Sequence, residues 1–521
     1  MYIPLVNFHF NMGEIILIYI YDEEIVSVQQ ATLYLGSYLK KNNFNVKLFN
    51  LIVDESKLPC EKDLNSIKEE LKDCICVGFS VMTSQIAKSL ELSKIIKSLK
   101  PEIKIVWGGT HPTLFPVQTL ENPNIDFAIK GEGEEVFLKL VKVLKFQNHD
   151  FSHINGLVFK TEKGIVSNPP QGVFEDFVNL SPDWDLMSDF VEANMAFFFC
   201  GKHYKYVTIH TGRGCPYRCN FCINNIVFGK SRRTKSIDLI IKEIKIVLQK
   251  FNPTLIGMMD DNFFINKKFV EDFCDRLKEE GMDIKWSTSS RVNYFDNFDD
   301  AFLIKLKNSG CISLAFGAES GSKKILTYLK KDITPEQIFN AAVKCVKYDI
   351  TPIFSFMIGL PGETKEDRLE TMKLIKKLKA VSNKVGFTTI QILRPYPGGE
   401  IYQDCLKYGI YEPKTLEEWE NKSKVSLGYL NAADLPWIDC PEDIEIISKY
   451  YSKSTNNYLL LLNINPLFKN LFRIRTRMFG DLSHAYVKSE NKNIKKLIKY
   501  GLKATEKASN LGKSVAVNKI Y

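Results

Sequence analysis

No apolar run in the chain reaches the roughly 20 residues that a membrane-spanning helix needs; the longest, such as "IILIYIY" and "YLLLL", fall far short. The amino-terminal stretch "MYIPLVNFHFNMGEIILIYIYDEE" lacks a basic segment ahead of its apolar one and runs straight into acids, which argues against a cleavable secretory signal. Internal repeats and low-complexity tracts are also absent. Charge of one sign is scarce over most of the length: the net charge is +9, and residues 441–521 alone carry 15 Lys and Arg against 6 Asp and Glu, which is the whole excess. Basic groups confined to a tail are read as a solvated helical surface rather than as a track for nucleic acid. In a chain without a secretory signal, 12 scattered cysteines are expected as reduced thiols of the cytoplasm.

What is present is a long globular chain. At 521 residues, 45% hydrophobic and 25% charged, it exceeds what one hydrophobic core serves, so two or three domains are expected. The first 146 residues alternate short apolar runs with amphipathic segments of helix length, the pattern of an open, doubly wound parallel α/β sheet. Strands are expected at "EIILIYIY", "NVKLFNL", "CICVGFSVM", "IKIVWGG" and "IDFAIKG". Ligands bind such sheets at the carboxyl ends of the strands, which directs attention to "SVMTSQ" (80–85), "GGTHPT" (108–113) and "GEGEE" (131–135).

Domain boundaries follow from the breaks in this pattern: 1–150 for the sheet, 151–205 for a linker, 206–400 for a second α/β domain and 401–521 for a helical, basic carboxyl-terminal domain. The linker contains "INGLVFKTEKGIVSNPP", read as a β-hairpin turning at Lys163-Gly164. Alternation then resumes at "VTIHT", "LIGMMD", "DIKWSTSS", "CISLAFG", "PIFSFMIG" and "GFTTIQIL", each but the last followed by a helix, as in a partial or full βα barrel. Thr334-Pro335-Glu336-Gln337 and Thr364 with Asp367 read as capping boxes. Beyond residue 400, "TLEEWE", "EDIEIISKYYSKSTNNYLLLL" and "KNIKKLIKYGLKATEKA" read as helices.

The chemistry is concentrated in "GRGCPYRCNFC", where Cys215, Cys219 and Cys222 follow the first barrel strand in a CxxxCxxC spacing. Catalytic groups of parallel βα barrels sit at that end. Three thiolates can hold a 4Fe-4S cube with one iron left open for a ligand; a structural zinc site with a distant fourth ligand is the alternative reading.

This loop, placed after the first strand of a partial βα barrel, resembles the radical S-adenosylmethionine (SAM) superfamily over residues 205–400. The resemblance implies a 4Fe-4S cluster whose open iron is chelated by SAM, and cleavage of SAM to methionine and a 5′-deoxyadenosyl radical. It further implies SAM contacts at Phe221, which precedes the third cysteine, at Asp260 or Asp261 in "MMDDNF", at Ser289 and Arg291 in "SSR", and at Glu319 and Ser320 in "FGAESGS". Arg291 is the charge match for the SAM carboxylate. For Asp260 and Asp261 capping of the next helix is the competing role, and for Phe221 loop packing.

The amino-terminal sheet is similar to the cobalamin-binding domain that precedes some radical SAM cores, which implies cobalamin contacts at Ser80, Thr83, Gly108, Gly109 and Thr110. The DxHxxG of cobalamin mutases is missing after the first strand, where "YDEEIVSVQQ" stands, so cobalamin is expected without a histidine beneath the cobalt. His111 is read as orienting a turn or donating to the corrin. The combined resemblance implies a cobalamin-dependent radical SAM methyltransferase acting on an unactivated carbon of a small-molecule or lipid-like substrate, served by a reductant such as a flavodoxin or ferredoxin. A cobalamin-dependent radical cyclase or rearrangement enzyme shares every motif. A radical SAM RNA methylthiotransferase would hold a second cluster through three more cysteines, for which only Cys60, Cys74 and Cys76 are at hand, the last two within a buried strand; a non-enzymatic carrier would need no SAM contacts. Residues 459–480, with Arg473, Arg475 and Arg477, read as a core helix with a solvated basic face or as a contact to the inner face of a membrane.

Overall fold

The computed structural model describes residues 14–22, 30–53, 59–146, 150–199, 202–419, 432–451 and 466–517. The chain divides into two compact units: Met1–Asn194 with Ile226–Gly229 and Pro413–Leu427, and Met195–Asn225 with Lys230–Glu412 and Gly428–Tyr521.

In the first unit, five parallel strands, β1 (Glu14–Asp22), β2 (Asn45–Val53), β3 (Cys74–Ser80), β4 (Lys104–Gly108) and β5 (Phe127–Ile129), are extended by an antiparallel pair, β6 (Leu157–Thr161) and β7 (Gly164–Ser167). The order is β2-β1-β3-β4-β5-β6-β7. Every residue of β1 from Ile15 to Tyr21 is buried. This is why the strand reads as an unbroken apolar run and not as an alternation: it lies between β2 and β3 with both faces covered. The hairpin expected inside the 151–205 linker is the edge of this sheet, because Leu157, Val158 and Phe159 find their burial against it. Its two-residue loop is Glu162-Lys163, one residue earlier than expected, with Gly164 at φ +120°. The loop after β1, at 23–29, lies outside the described residues.

The second unit opens with a hairpin the sequence does not announce, β8 (Ala196–Phe199) antiparallel to β9 (Lys202–Ile209). A short ribbon follows, β10 (Gly212–Arg213) with β11 (Arg233–Thr234). The barrel strands are β9, β12 (Leu255–Met258), β13 (Trp286–Ser290), β14 (Cys311–Glu319), β15 (Thr351–Ile358) and β16 (Gly386–Phe387), paired in parallel in that order, with β17 (Gln391–Ile392) beside β15. This is a partial barrel of six βα-type steps, whose last expected strand is split into two short pairings. Both capping boxes form: the Thr334 hydroxyl accepts from Gln337 N and the Thr364 hydroxyl from Asp367 N.

After the barrel come the helices Glu400–Lys407, Pro441–Ile446, Pro466–Lys488 and Lys492–Val517. Of the helix expected over 442–462, residues 452–462 lie outside the described residues. Among the described residues no helix is long and apolar enough to cross a membrane.

Candidate functional site

The CxxxCxxC loop leaves β9 through Thr211 and the β10 ribbon, and the carboxyl end of β12 fastens it. Asp260 is buried and accepts from Thr211 N at 2.7 Å, Gly212 N at 3.1 Å, the Thr211 hydroxyl and Arg232 Nη2 at 2.8 Å. Asp261 accepts from Gly214 N at 2.8 Å and Asn224 Nδ2 at 2.6 Å. Burial pushes the Asp261 carboxyl above its ordinary range, with the Gly214 N–H opposing and the Asp260 charge adding to the rise. Neither aspartate caps the following helix, Lys267–Glu279, whose first turn is held by Asn266. Both instead hold the loop that carries the cysteines.

From the opposite side, Asn220 donates its backbone N–H to Leu329 O at 3.1 Å and its side-chain amide to Tyr328 O at 2.7 Å, and its own carbonyl accepts from Ile401 N at 3.1 Å. Gly399 passes so close that a Cβ there would lie 2.5 Å from Asn220 O. Phe221 packs into the apolar cluster of Ile325, Leu329, Leu360, Leu393, Ile401 and Cys405, with Lys331 Nζ 5.5 Å from its ring centroid. The "GLPGE" turn after β15 is closed by the buried Glu363, which accepts from Gly359 N at 2.6 Å and whose carboxyl burial pushes up to about 7.

Cys215, Cys219 and Cys222 are half-buried free thiols. Among the described residues no three His, Cys, Asp or Glu side chains converge closely enough to hold a metal ion as they stand. The donor set nonetheless fits a cluster. Burial raises the Cys222 thiol, and the neighbouring Cys219 and Cys215 sulfurs and the Asp261 carboxylate raise it further, a crowding of negative charge at Cys222 that a bound metal centre would relieve. Arg291 lies against this loop. Its Nη1 donates to Cys219 Sγ at 3.5 Å, its Nη2 to Lys331 O, its Nε to Asn293 Oδ1 at 3.2 Å, and its guanidinium carbon sits 3.6 Å from the Tyr217 ring centroid.

The remaining residues expected around SAM divide into two groups. Ser289 Oγ donates to Asp260 O at 3.3 Å and Glu319, at φ +60°, accepts from Lys331 Nζ at 2.8 Å, so both reach the Asp260 and Lys331 surroundings of the loop. Ser320 is fully buried behind them, 3.0 Å from the Thr371 hydroxyl and accepting from Ser322 N at 3.1 Å. Arg232, Asn262, Tyr294 and Lys331 are residues the sequence does not single out, Asn262 leaving a trace as the polar residue directly after the two aspartates, whereas Gly399 belongs to "LRPYPGGEIY", a stretch the sequence places at the end of the sixth strand. Asn262 Nδ2 donates to Tyr294 Oη at 2.8 Å and reaches Cys215 Sγ at 3.9 Å.

In the first unit the loops after β3 and β4 are bonded to each other: Val81 N to Gly108 O at 2.8 Å and His111 N to Val81 O at 3.0 Å. Gly109 has φ +95°, and a Cβ there would lie 2.8 Å from Val81 N and 3.2 Å from Ser80 Oγ, so only glycine lets the two loops close. Thr110 starts the short helix that follows, and the Thr113 hydroxyl ties it to Gly109 O at 2.7 Å and to Gly131 N at 3.0 Å. All three polar loops are therefore joined at the carboxyl edge of the sheet. Ser80, Thr83, Gly108, Gly109 and Thr110 leave that edge with small side chains, which suits a large planar ligand lying along the backbone. His111 is fully buried: Thr83 Oγ1 is 3.3 Å from its Nδ1, Trp419 stands edge-on at 5.5 Å between ring centroids, and Nε2 has no partner among the described residues. Burial pushes the imidazole down to about 3, so it is neutral. Trp419 comes from the far end of the chain and is fixed by its Nε1 bond to Gln118 Oε1 at 2.8 Å.

Residues 209–375 match the family profile of the Radical SAM superfamily, and residues 29–141 that of the B12 binding domain. The chain is 32% identical over 373 residues to an uncharacterized methyltransferase of Pyrococcus horikoshii, covering 71% of this chain and 76% of that protein. It is 26% identical over 380 residues to the anaerobic magnesium-protoporphyrin IX monomethyl ester cyclase of Rubrivivax gelatinosus, covering 71% of this chain and 65% of the cyclase. The cobalamin-dependent S-adenosylmethionine radical enzyme OxsB, solved with aqua-cobalamin bound, has the same fold at a TM-score of 0.65 and 18% identity, over 95% of this chain and 76% of that one.

Proposed function

The chain belongs to the cobalamin-binding radical SAM family, and from that premise we propose that it is a methyltransferase acting on an unactivated carbon of a small-molecule substrate. The observation that carries the proposal is the pairing, in one chain, of a braced CxxxCxxC loop at the carboxyl end of a partial barrel with a β2-β1-β3-β4-β5 sheet whose ligand edge is lined by small residues. When bound, a 4Fe-4S cluster, SAM and cobalamin would supply one-electron reduction, a radical source and a transferable methyl group.

The chain's own residues serve that chemistry by holding and orienting. Cys215, Cys219 and Cys222 would hold the cluster. Asp260 and Asp261 fix the backbone from Thr211 to Gly214 on which the first cysteine stands. Arg291, a cation with no carboxylate partner among the described residues, is the group for the SAM carboxylate. Phe221, Asp261, Ser289 and Glu319 complete the SAM site, with Asp260 and Ser320 positioning from behind. Ser80, Thr83, Gly108, Gly109 and Thr110 would take cobalamin, and His111, fully buried with its Nδ1 beside the Thr83 hydroxyl, would brace the turn that carries them.

A one-electron donor of the flavodoxin or ferredoxin class belongs to the proposal, since the chemistry consumes an electron. So does a surface contact of the carboxyl-terminal helices with an anionic membrane, supported by Ile474, Met478, Leu497 and Tyr500, which are exposed on helices rich in Lys and Arg. The likeness to the cyclase favours ring closure as a second reading. One assay separates the two: incubation with SAM, reductant, cobalamin and candidate substrates should give a product heavier by one methylene, whereas a product lighter by two hydrogens favours cyclisation. Cys215→Ala/Cys219→Ala/Cys222→Ala should abolish both iron binding and SAM cleavage, and stoichiometric iron in that variant ends the proposal.

A further inference from the structure

Two of the three sulfurs meet a side-chain N–H donor, and the donors come from the ends of two different strands. Cys215 Sγ faces Asn262 Nδ2 at 3.9 Å, from the end of β12. Cys219 Sγ accepts from Arg291 Nη1 at 3.5 Å, from the end of β13. We propose that these donors raise the reduction potential of the cluster the cysteines hold, with Arg291 contributing most because it alone brings a full charge. The inference rests on the radical SAM reading above.

The physical reason is that an added electron increases the negative charge borne by the thiolate sulfurs, so N–H donors aimed at them stabilise the reduced form more than the oxidised one. Such donors act best when they are fixed before the electron arrives. Arg291 is fixed on every side: Nη2 on Lys331 O, Nε on Asn293 Oδ1, and the guanidinium over Tyr217, whose hydroxyl lies 3.5 Å from Asn293 Nδ2. Asn262 is held by its bond to Tyr294 Oη.

The test is an anaerobic redox titration of the cluster-loaded protein, without SAM, followed by electron paramagnetic resonance, for wild type, Arg291→Gln, Arg291→Lys and Asn262→Leu, with iron per chain measured in each. At the potential where wild type is half reduced, Arg291→Gln should show a reduced-to-oxidised ratio about tenfold lower, a shift of about 59 mV for a one-electron couple. Asn262→Leu should lower the ratio about threefold, and Arg291→Lys should fall between wild type and the glutamine variant. Iron-replete variants that titrate with wild type overturn the inference, as does a loss of iron with no shift in midpoint. If Arg291→Gln does not load, the lysine and Asn262 variants decide by the same criterion. A wild-type protein that holds no iron ends the family reading instead, and so the two failures are told apart.

Discussion

Replacing Gly399 by alanine should dislodge the cysteine loop without touching a cysteine. Gly399 has φ −77° and ψ 155°, a conformation open to any residue, so the substitution introduces no backbone strain. What it introduces is a methyl group 2.5 Å from Asn220 O, 3.0 Å from Phe221 C and 3.1 Å from Phe221 Cα, where ordinary contact begins at 3.4 Å. The methyl group or the loop must therefore yield by the difference, 0.9 Å at the nearest atom. The loop is poorly able to do so, because Asn220 is bonded to Leu329, Tyr328 and Ile401. Overpacking of this kind costs about 1–3 kcal/mol, and one weakened hydrogen bond adds about 1 kcal/mol. A total near 3 kcal/mol corresponds to roughly a hundredfold loss in the population of the closed loop. The assay is iron and sulfide content after anaerobic reconstitution, followed by the rate at which a chelator strips the iron. Gly399→Ala should reconstitute poorly and lose iron fast, whereas Gly172→Ala, where a Cβ meets nothing within 4 Å, should match wild type. A Gly399→Ala protein with full iron and wild-type resistance to the chelator would refute the view that this close approach holds the loop.

Two further outcomes are expected. Because His111 is held near pH 3 by burial while an unfolded histidine titrates near 6.5, the unfolded chain takes up a proton that the folded one refuses; the stabilisation present above pH 6.5 is lost as the pH falls toward 3, by up to about 4 kcal/mol, and His111→Phe should flatten the fall in urea midpoint between pH 7 and 4.5, an unchanged slope counting against it. Sedimentation with anionic vesicles at low salt should carry the protein down, and neutral vesicles or high salt should not; no binding under any condition removes the membrane contact from the proposal.

The strands were legible because parallel strands buried on both faces must be continuous apolar runs, and the helix starts because capping boxes are local. The cysteine loop was legible for the same reason: its chemistry is contained in eight residues. What braces it was not. Asp260 and Asp261 stand out as two carboxylates at a strand end, but the N–H groups they receive lie 47 to 49 residues away, and nothing in "MMDDNF" says that the acceptors face the loop. Gly399 and Trp419 are further still from what they touch: Trp419 meets Gln118 across 301 residues. Phe221 shows the same limit from the other direction, since one ring before the third cysteine serves equally as a ligand wall or as core, and only the burial of Ile325, Leu329 and Ile401 around it reveals how it is packed.

Among the described residues, charge pairing around the loop leaves Arg291 without a carboxylate. Asp260 is matched by Arg232 at 2.8 Å and Glu319 by Lys331 at 2.8 Å, both pairs largely withdrawn from solvent, where an unmatched charge would be costly. Among the described residues Asp261 has no cation bonded to it and relies on the Gly214 N–H and the Asn224 amide, consistent with its raised carboxyl. Arg291 is the converse: among the described residues no carboxylate lies within salt-bridge distance of it, and its donors are spent on a thiol, a backbone carbonyl and an amide oxygen. A guanidinium left without an anion beside three thiols, and stacked on the tyrosine between two of them, is suited to an anionic ligand. An anionic cluster and the carboxylate of SAM are both such counter-charges. One residue would therefore bear on cluster potential before SAM binds and on SAM affinity afterwards, so the two properties should move together in any variant that removes its charge.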